Sequence, residues 1–191
     1  MRAKKIMTRR AVVSILPVLL VILAGTATPV LADDACAGYK WDVSAERVLF
    51  AGTAAPVTAG HDTKSAPVVV PNRLYRVRLA PQTQVTLAPA AANEGAAHKP
   101  PPEGAYAGIA TLKIPKAGSY RVAIDGPFWI DVLSNGTLLA AKDFQGAHGC
   151  SAPRKIVEFE LAGPQRFVLQ LSAAEQDTAQ LTVTPSPARK F

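Results

Sequence analysis

The sequence predicts an all-β protein: a single antiparallel β-sandwich or jelly-roll-like domain after a cleaved signal peptide. Three observations carry this. From residue 73 onward the apolar residues recur with a period of two, as in "RLYRVRLA" and "KIVEFELA". The runs are short and are separated by Gly, Pro and Asn clusters, at the spacing of a sandwich or barrel. No long amphipathic helix alternates with them, which argues against a parallel α/β sheet.

The elements follow in order. "DVSAERVLF" reads as a short helix near the mature N-terminus, capped by Ser44, with Arg47 in the turn after it and Val43, Val48 and Leu49 facing inward. "TAAPVTAGHDTKSAPVVVP" is rich in Pro, Gly, Ser and Thr and reads as loop, so residues 33–72 form an N-terminal segment and residues 73–185 the sandwich strands. In "RLYRVRLA", Tyr75, Val77 and Leu79 share the dry face, and Arg76 and Arg78 the wet one. "QVTLAP" places Val85 and Leu87 together as a further strand, and "AANEGAAHKPPPEGAY" is a loop too rich in Pro and Gly to continue a ladder. "IATLKI", "SYRVAID" and "FWIDVLS" are strands. Asn135-Gly136 tolerates the positive φ of a type I′ turn and should join "WIDVLS" to "TLLAAKD" as a hairpin. "KIVEFELA", "RFVLQLS" and "AQLTVTP" complete the sheets, and residues 186–191 read as a loose tail.

The N-terminus predicts the compartment. "MRAKKIMTRR" is basic, "AVVSILPVLLVILAG" is apolar, and "TATPVLA" ends on small residues, the layout of a secretory signal over residues 1–32. The apolar run is short for a transmembrane helix, which needs about 20 residues, so no membrane span is expected after cleavage. The net charge of +7, from 21 Lys+Arg and 14 Asp+Glu, largely belongs to that segment. Removing Arg2, Lys4, Lys5, Arg9 and Arg10 leaves 16 basic against 14 acidic residues, or +2. A nucleic-acid partner would want a basic stripe with aromatic neighbours. The nearest approach, "RLYRVR", is better explained as the wet face of a strand. The expected location is periplasmic or secreted.

Two cysteines in an exported chain allow one intramolecular pairing, Cys36 with Cys150. Closing a loop of that length is worth up to about 4–5 kcal/mol in the chain-entropy model. Spaced so far apart, they lack the pattern of a zinc site.

Catalytic motifs are absent: there is no G-x-S-x-G, no P-loop, no H-E-x-x-H and no C-x-x-C. The histidines are His61, His98 and His148, the first two on Pro-rich loops. Trp129 and Asp131 share one face of their strand, with Phe128, Ile130 and Val132 on the other. An aromatic ring beside a carboxylate can act as a ligand platform. Alternatively, Trp129 packs under the "GAHGC" loop. If the disulfide forms, Trp41 comes near residues 143–155, and Trp41, Trp129, Asp131 and His148 could then lie together. Arg154 and Lys155 are available for ordinary ion pairs with Asp131, Asp143 or Glu158, or for an anion. These residues make up the candidate ligand site; no catalytic residue and no cofactor is assigned.

The runs "CAGYKWDVSAERVLFAG", "YRVAIDGPFWIDVLSNG" and "AHGCSAPRKIVEFEL" resemble a group of small exported proteobacterial β-sandwich proteins over most of the mature chain. Members of that group often carry the name homogentisate dioxygenase, which implies iron held by two histidines and a glutamate. True homogentisate dioxygenases are much larger cytoplasmic cupin enzymes, and this chain offers no such ligand set in order. The strand layout is also similar to sandwich modules appended to secreted peptidases. The expected function is a non-catalytic binding or accessory module whose partner is a small molecule, a glycan or an envelope protein. The alternatives are a small iron- or zinc-dependent enzyme, including the dioxygenase of the name, and an envelope protein–protein contact module.

Overall fold

A computed structural model of the chain describes residues 36–88 and 100–187. The expected signal segment 1–32, His98 and residues 188–191 of the expected tail lie outside the described residues. The elements among the described residues are a helix α1 (Ser44–Phe50) and twelve strands: β1 (Ala55–Thr58), β2 (Val68–Val69), β3 (Leu74–Arg78), β4 (Ala80–Pro81), β5 (Tyr106–Ile114), β6 (Gly118–Ile124), β7 (Trp129–Ser134), β8 (Thr137–Leu138), β9 (Asp143–Gly146), β10 (Lys155–Leu161), β11 (Gln165–Ala174) and β12 (Thr178–Pro185). They form two sheets. The first runs β1-β3-β12-β6-β10-β9 and the second β2-β5-β11-β7-β8, with β4 also pairing β5.

The period-two pattern builds this arrangement directly. Tyr75 and Val77, Tyr120, Val122 and Ile124, Val157, Phe159 and Leu161, and Leu181 and Val183 point from the first sheet into one core. Ala110, Leu112 and Ile114, Ile130 and Val132, and Phe167, Leu169 and Leu171 meet them from the second. Each large side chain so buried contributes about 1.5–3 kcal/mol. The sheets approach closely at Gly108, where a Cβ would collide with the Ala59 methyl and only hydrogen fits. The predicted hairpin is present: Asn135 and Gly136 have φ of 50° and 79° between β7 and β8.

Five expectations need correction. The sheets are mixed rather than purely antiparallel, because β1 pairs β3 and β2 pairs β5 in parallel. Both parallel strands lie in the segment read as loop; four and two residues long, they are too short to show a period. "QVTLAP" is not a strand: a 3₁₀ turn at Gln82–Gln84 leads into it, and residues 85–88 belong to no strand. "TLLAAKD" pairs with β7 only at Thr137–Leu138, and Asp143 already belongs to β9 in the first sheet. Helix α1 buries Glu46 and Phe50 and leaves Val48 73% exposed, and Ser44 does not cap its start; Asp42 Oδ1 accepts the Ser44 N–H at 2.9 Å instead.

Candidate functional site

The two tryptophans lie against different sheets. Arg121 and Ala123 alternate with the core residues of β6, so they face out from the first sheet. Residues 36–51 cover that face: Tyr39, Trp41, Val43 and Phe50 pack with Leu74, Ala123 and Ile156. The Cys36–Cys150 disulfide ties the start of this segment to the loop after β9. Gln145 Oε1 accepts the backbone N–H of Lys40, and Tyr39 donates its hydroxyl to Pro153 O at 3.0 Å.

Under this cover sits a buried charge cluster. The Arg121 guanidinium lies 4.5 Å from the Trp41 ring centroid and donates to Asp42 O at 2.7 Å. It pairs with Glu158 Oε2 at 3.4 Å and has Glu46 Oε1 at 3.9 Å. Thr184 donates its hydroxyl to Glu46 Oε1 at 2.5 Å, and Glu46 Oε2 is buried with no hydrogen-bond partner among the described residues. A cluster so enclosed holds the N-terminal segment down.

Trp129 faces the other way. Ile130 and Val132 enter the core, so Trp129 and Asp131 stand on the outer face of the second sheet, opposite Ser172 and Gln170 of β11. There the sheet opens into a cleft of about 400 Å³ lined by Pro100, Pro102, Phe128, Trp129, Lys155 and Glu175. It adjoins a second hollow of about 220 Å³ that Trp129 shares with Asp131, Gln170 and Ser172. The combined space falls within the range of small-ligand pockets, about 300–1,000 Å³.

Lys155 points from β10 across the mouth between the sheets. Its ammonium lies 4.5 Å from the Trp129 ring centroid and donates to Phe128 O at 3.0 Å. Burial pushes its pKa below the usual lysine value, and the charge of Asp131 opposes that shift. Asp125, at the far end of the groove with Phe128 and Thr178, is shifted up by burial against a hydrogen bond from Gln180 N. The backbone bends here: the register slips between Leu171 and Ala174, and Ala173 takes a left-handed φ of 58°. Its N–H is held by Gln82 Oε1 at 2.7 Å. A non-glycine residue in that region is uncommon and collects at functional sites.

The expected four-residue cluster is therefore not assembled. Trp129 and Asp131 share the cleft, while Trp41 belongs to the Arg121 cluster. His148, exposed beside the disulfide, takes a hydrogen bond from Arg154 Nη2 at 2.9 Å, so Arg154 serves His148 rather than Asp131, Asp143 or Glu158. His61 Nδ1 lies 3.1 Å from Gln84 O, and Asp62 closes its own turn by accepting from Ser65. Among the described residues no three His, Cys, Asp or Glu side chains form a group that could hold a metal ion, and the two-histidine, one-glutamate iron set does not fit them.

Sequence reasoning missed Pro100, Gln170 and Ser172 in the cleft. A faint signal existed: "RFVLQLS" puts Gln170 and Ser172 on the face of β11 opposite its leucines. No helix among the described residues is long and apolar enough to cross a membrane. The chain matches no protein-family model and no curated protein.

Proposed function

We propose that this chain is an exported, non-catalytic binding or accessory module that takes its ligand in the Trp129 cleft. The observation that carries the reading is the cleft itself, where an aromatic ring, an ammonium and a carboxylate come together at a backbone irregularity. Such a site can stack a flat or apolar ligand face on the indole and orient it through Lys155 and Asp131. Export is supported by the tripartite N-terminus and by a disulfide that persists in oxidising compartments. Periplasmic delivery, with a small molecule, a glycan or an envelope protein as the partner, is part of this reading.

The test is a pair of measurements on the disulfide-bonded protein. Titration with a panel of soluble envelope oligosaccharides and aromatic acids should change Trp129 fluorescence, and the response should vanish in Trp129→Phe. Metal analysis of the same protein and of His148→Ala distinguishes the enzyme alternative. Near-stoichiometric iron or zinc that disappears in the variant would overturn the binding-module reading and revive the dioxygenase name.

A further inference from the structure

The cleft leaves one motif unused, the arginine pair of "RLYRVR". Arg76 and Arg78 both project outward from β3, about 6.5 Å apart along the strand. The register fixes their neighbours. Pro56 and Gln180 flank Arg76, and Thr58 and Thr178 flank Arg78. Pro56, Thr58, Arg76, Arg78 and Thr178 line a groove of about 300 Å³.

Opposite charges facing each other across strands stabilise a sheet, and like charges weaken it. The same sheet pairs its charges elsewhere: Arg121 stands opposite Glu158 under the cover, and at the surface Lys142 meets Glu160 at 3.2 Å. Across from Arg76 and Arg78 stand only hydroxyls, an amide and a proline. Among the described residues no carboxylate pairs with either guanidinium. Of the acids next to β12, Asp125 accepts from Gln180 N, and Asp177 lies in the turn before the strand, its carbonyl accepting from Leu79 N at 2.7 Å. Two like charges on one face, flanked by hydroxyl donors, make an incomplete arrangement that one oxyanion would complete. Guanidinium forks match phosphate oxygens bidentately, and flanking threonines supply further donors.

We propose that the groove between β1, β3 and β12 binds a phosphate group, with Arg76 and Arg78 gripping its oxygens and Thr58 and Thr178 donating to them. The group can arrive as a free phosphate or phosphomonoester, or as a phospholipid headgroup that would seat the protein on a membrane surface. This site lies on the first sheet; it shares Thr178 with the hollow that holds Asp125, but none of its residues lines the cleft around Trp129, and it stands or falls independently of that cleft.

The experiment uses the disulfide-bonded protein at constant ionic strength in two arms, inorganic phosphate read by calorimetry and by thermal shift, and phosphatidylcholine vesicles with and without phosphatidylglycerol read by co-sedimentation. Arg76→Ala/Arg78→Ala and Arg76→Lys/Arg78→Lys are compared in both; the side chains are exposed, so both variants should keep their melting temperature in chloride. Binding in either arm that weakens about tenfold or more in the alanine pair, and is substantially reduced in the lysine pair, supports the proposal. The arm that responds names the source. Full retention by the lysine pair means diffuse positive charge and overturns the proposal, as does binding that the alanine pair leaves unchanged, or no binding in either arm.

Discussion

Trp41 and Trp129 each carry a cation 4.5 Å from the ring centroid, yet the two pairs do opposite work. Arg121 over Trp41 is sealed: its side chain is 7% exposed, and the carboxylates facing it are buried still more deeply. Lys155 over Trp129 is half-buried at the mouth of a cleft, held by one carbonyl and by the field of Asp131. The same local contact becomes a rivet where residues 36–51 cover it, and lines a cleft where, among the described residues, no such segment packs over the ring. The covering segment makes the difference, and the disulfide with Gln145 and Tyr39 holds that segment in place.

The most forceful way to break the comparison is to remove each cation. Arg121→Met takes the guanidinium from buried Glu46 and leaves Glu158 facing Lys142 Nζ at 3.8 Å, which typically costs about 3–5 kcal/mol. Lys155→Met leaves nothing comparable behind and should cost no more than about 1 kcal/mol. Urea denaturation of both variants decides. Equal losses would mean that the cleft is as structural as the cluster.

The next largest effect tests the cover. Cys36→Ser/Cys150→Ser should lower stability by about 2–4 kcal/mol, because the bridge spans 114 residues of sequence. The loss should come with faster amide exchange in residues 36–51 and little change in β7 or β11. Uniform loosening of both sheets would show that the segment does not act as a separate cover.

The tryptophans themselves sharpen the contrast further. Trp41→Ala removes a ring packed against Ala123 and Ile156 and should cost about 2–3 kcal/mol. Trp129→Ala should cost about 1 kcal/mol while abolishing ligand-induced fluorescence change. A larger stability loss for Trp129 than for Trp41 would invert the assignment.

This division was only half legible in the sequence. The long strands announce themselves because their two faces meet oil and water, so Tyr120, Val122 and Ile124 or Val157, Phe159 and Leu161 could be assigned inward by parity alone. The disulfide followed from having two cysteines and one pairing. What failed depended on contacts between distant residues. Glu46 looks like a surface residue until Arg121 and Thr184 arrive to receive it, and its burial rotates α1 so that Val48, apolar but superfluous, is left outside. The spacing of Glu46 and Phe50, one helical turn, was the available clue. Trp41 was drawn to the wrong neighbour because a disulfide says which loops meet, not which side of a sheet they cover. The short parallel strands β1 and β2 had too few residues to show any period.

The smallest effect separates the two faces by sign rather than size. Asp125, in the hollow that adjoins the cleft at Phe128 and Glu175, has its carboxyl raised above the ordinary value of 3.8 chiefly by burial. Between that value and its folded one, the folded state binds more protons than the unfolded state, so Asp125 makes stability fall as pH rises. Glu160, on the outer face of the first sheet, is held below 4.5 first by the Ser119 hydroxyl and then by Lys142. Its contribution is present above the ordinary carboxylate range and is lost as pH falls through the depressed value. Thermal melts from pH 3 to 7 should therefore diverge in opposite directions. Asp125→Asn should gain on the parent as pH rises, because it lacks the buried charge. Glu160→Gln should fall behind over the same climb, because it lacks a carboxylate for Ser119 and Lys142 to hold. If both variants moved the same way, burial would not distinguish the cleft carboxylate from its solvated counterpart, and the asymmetry between the two faces would rest on the tryptophans alone.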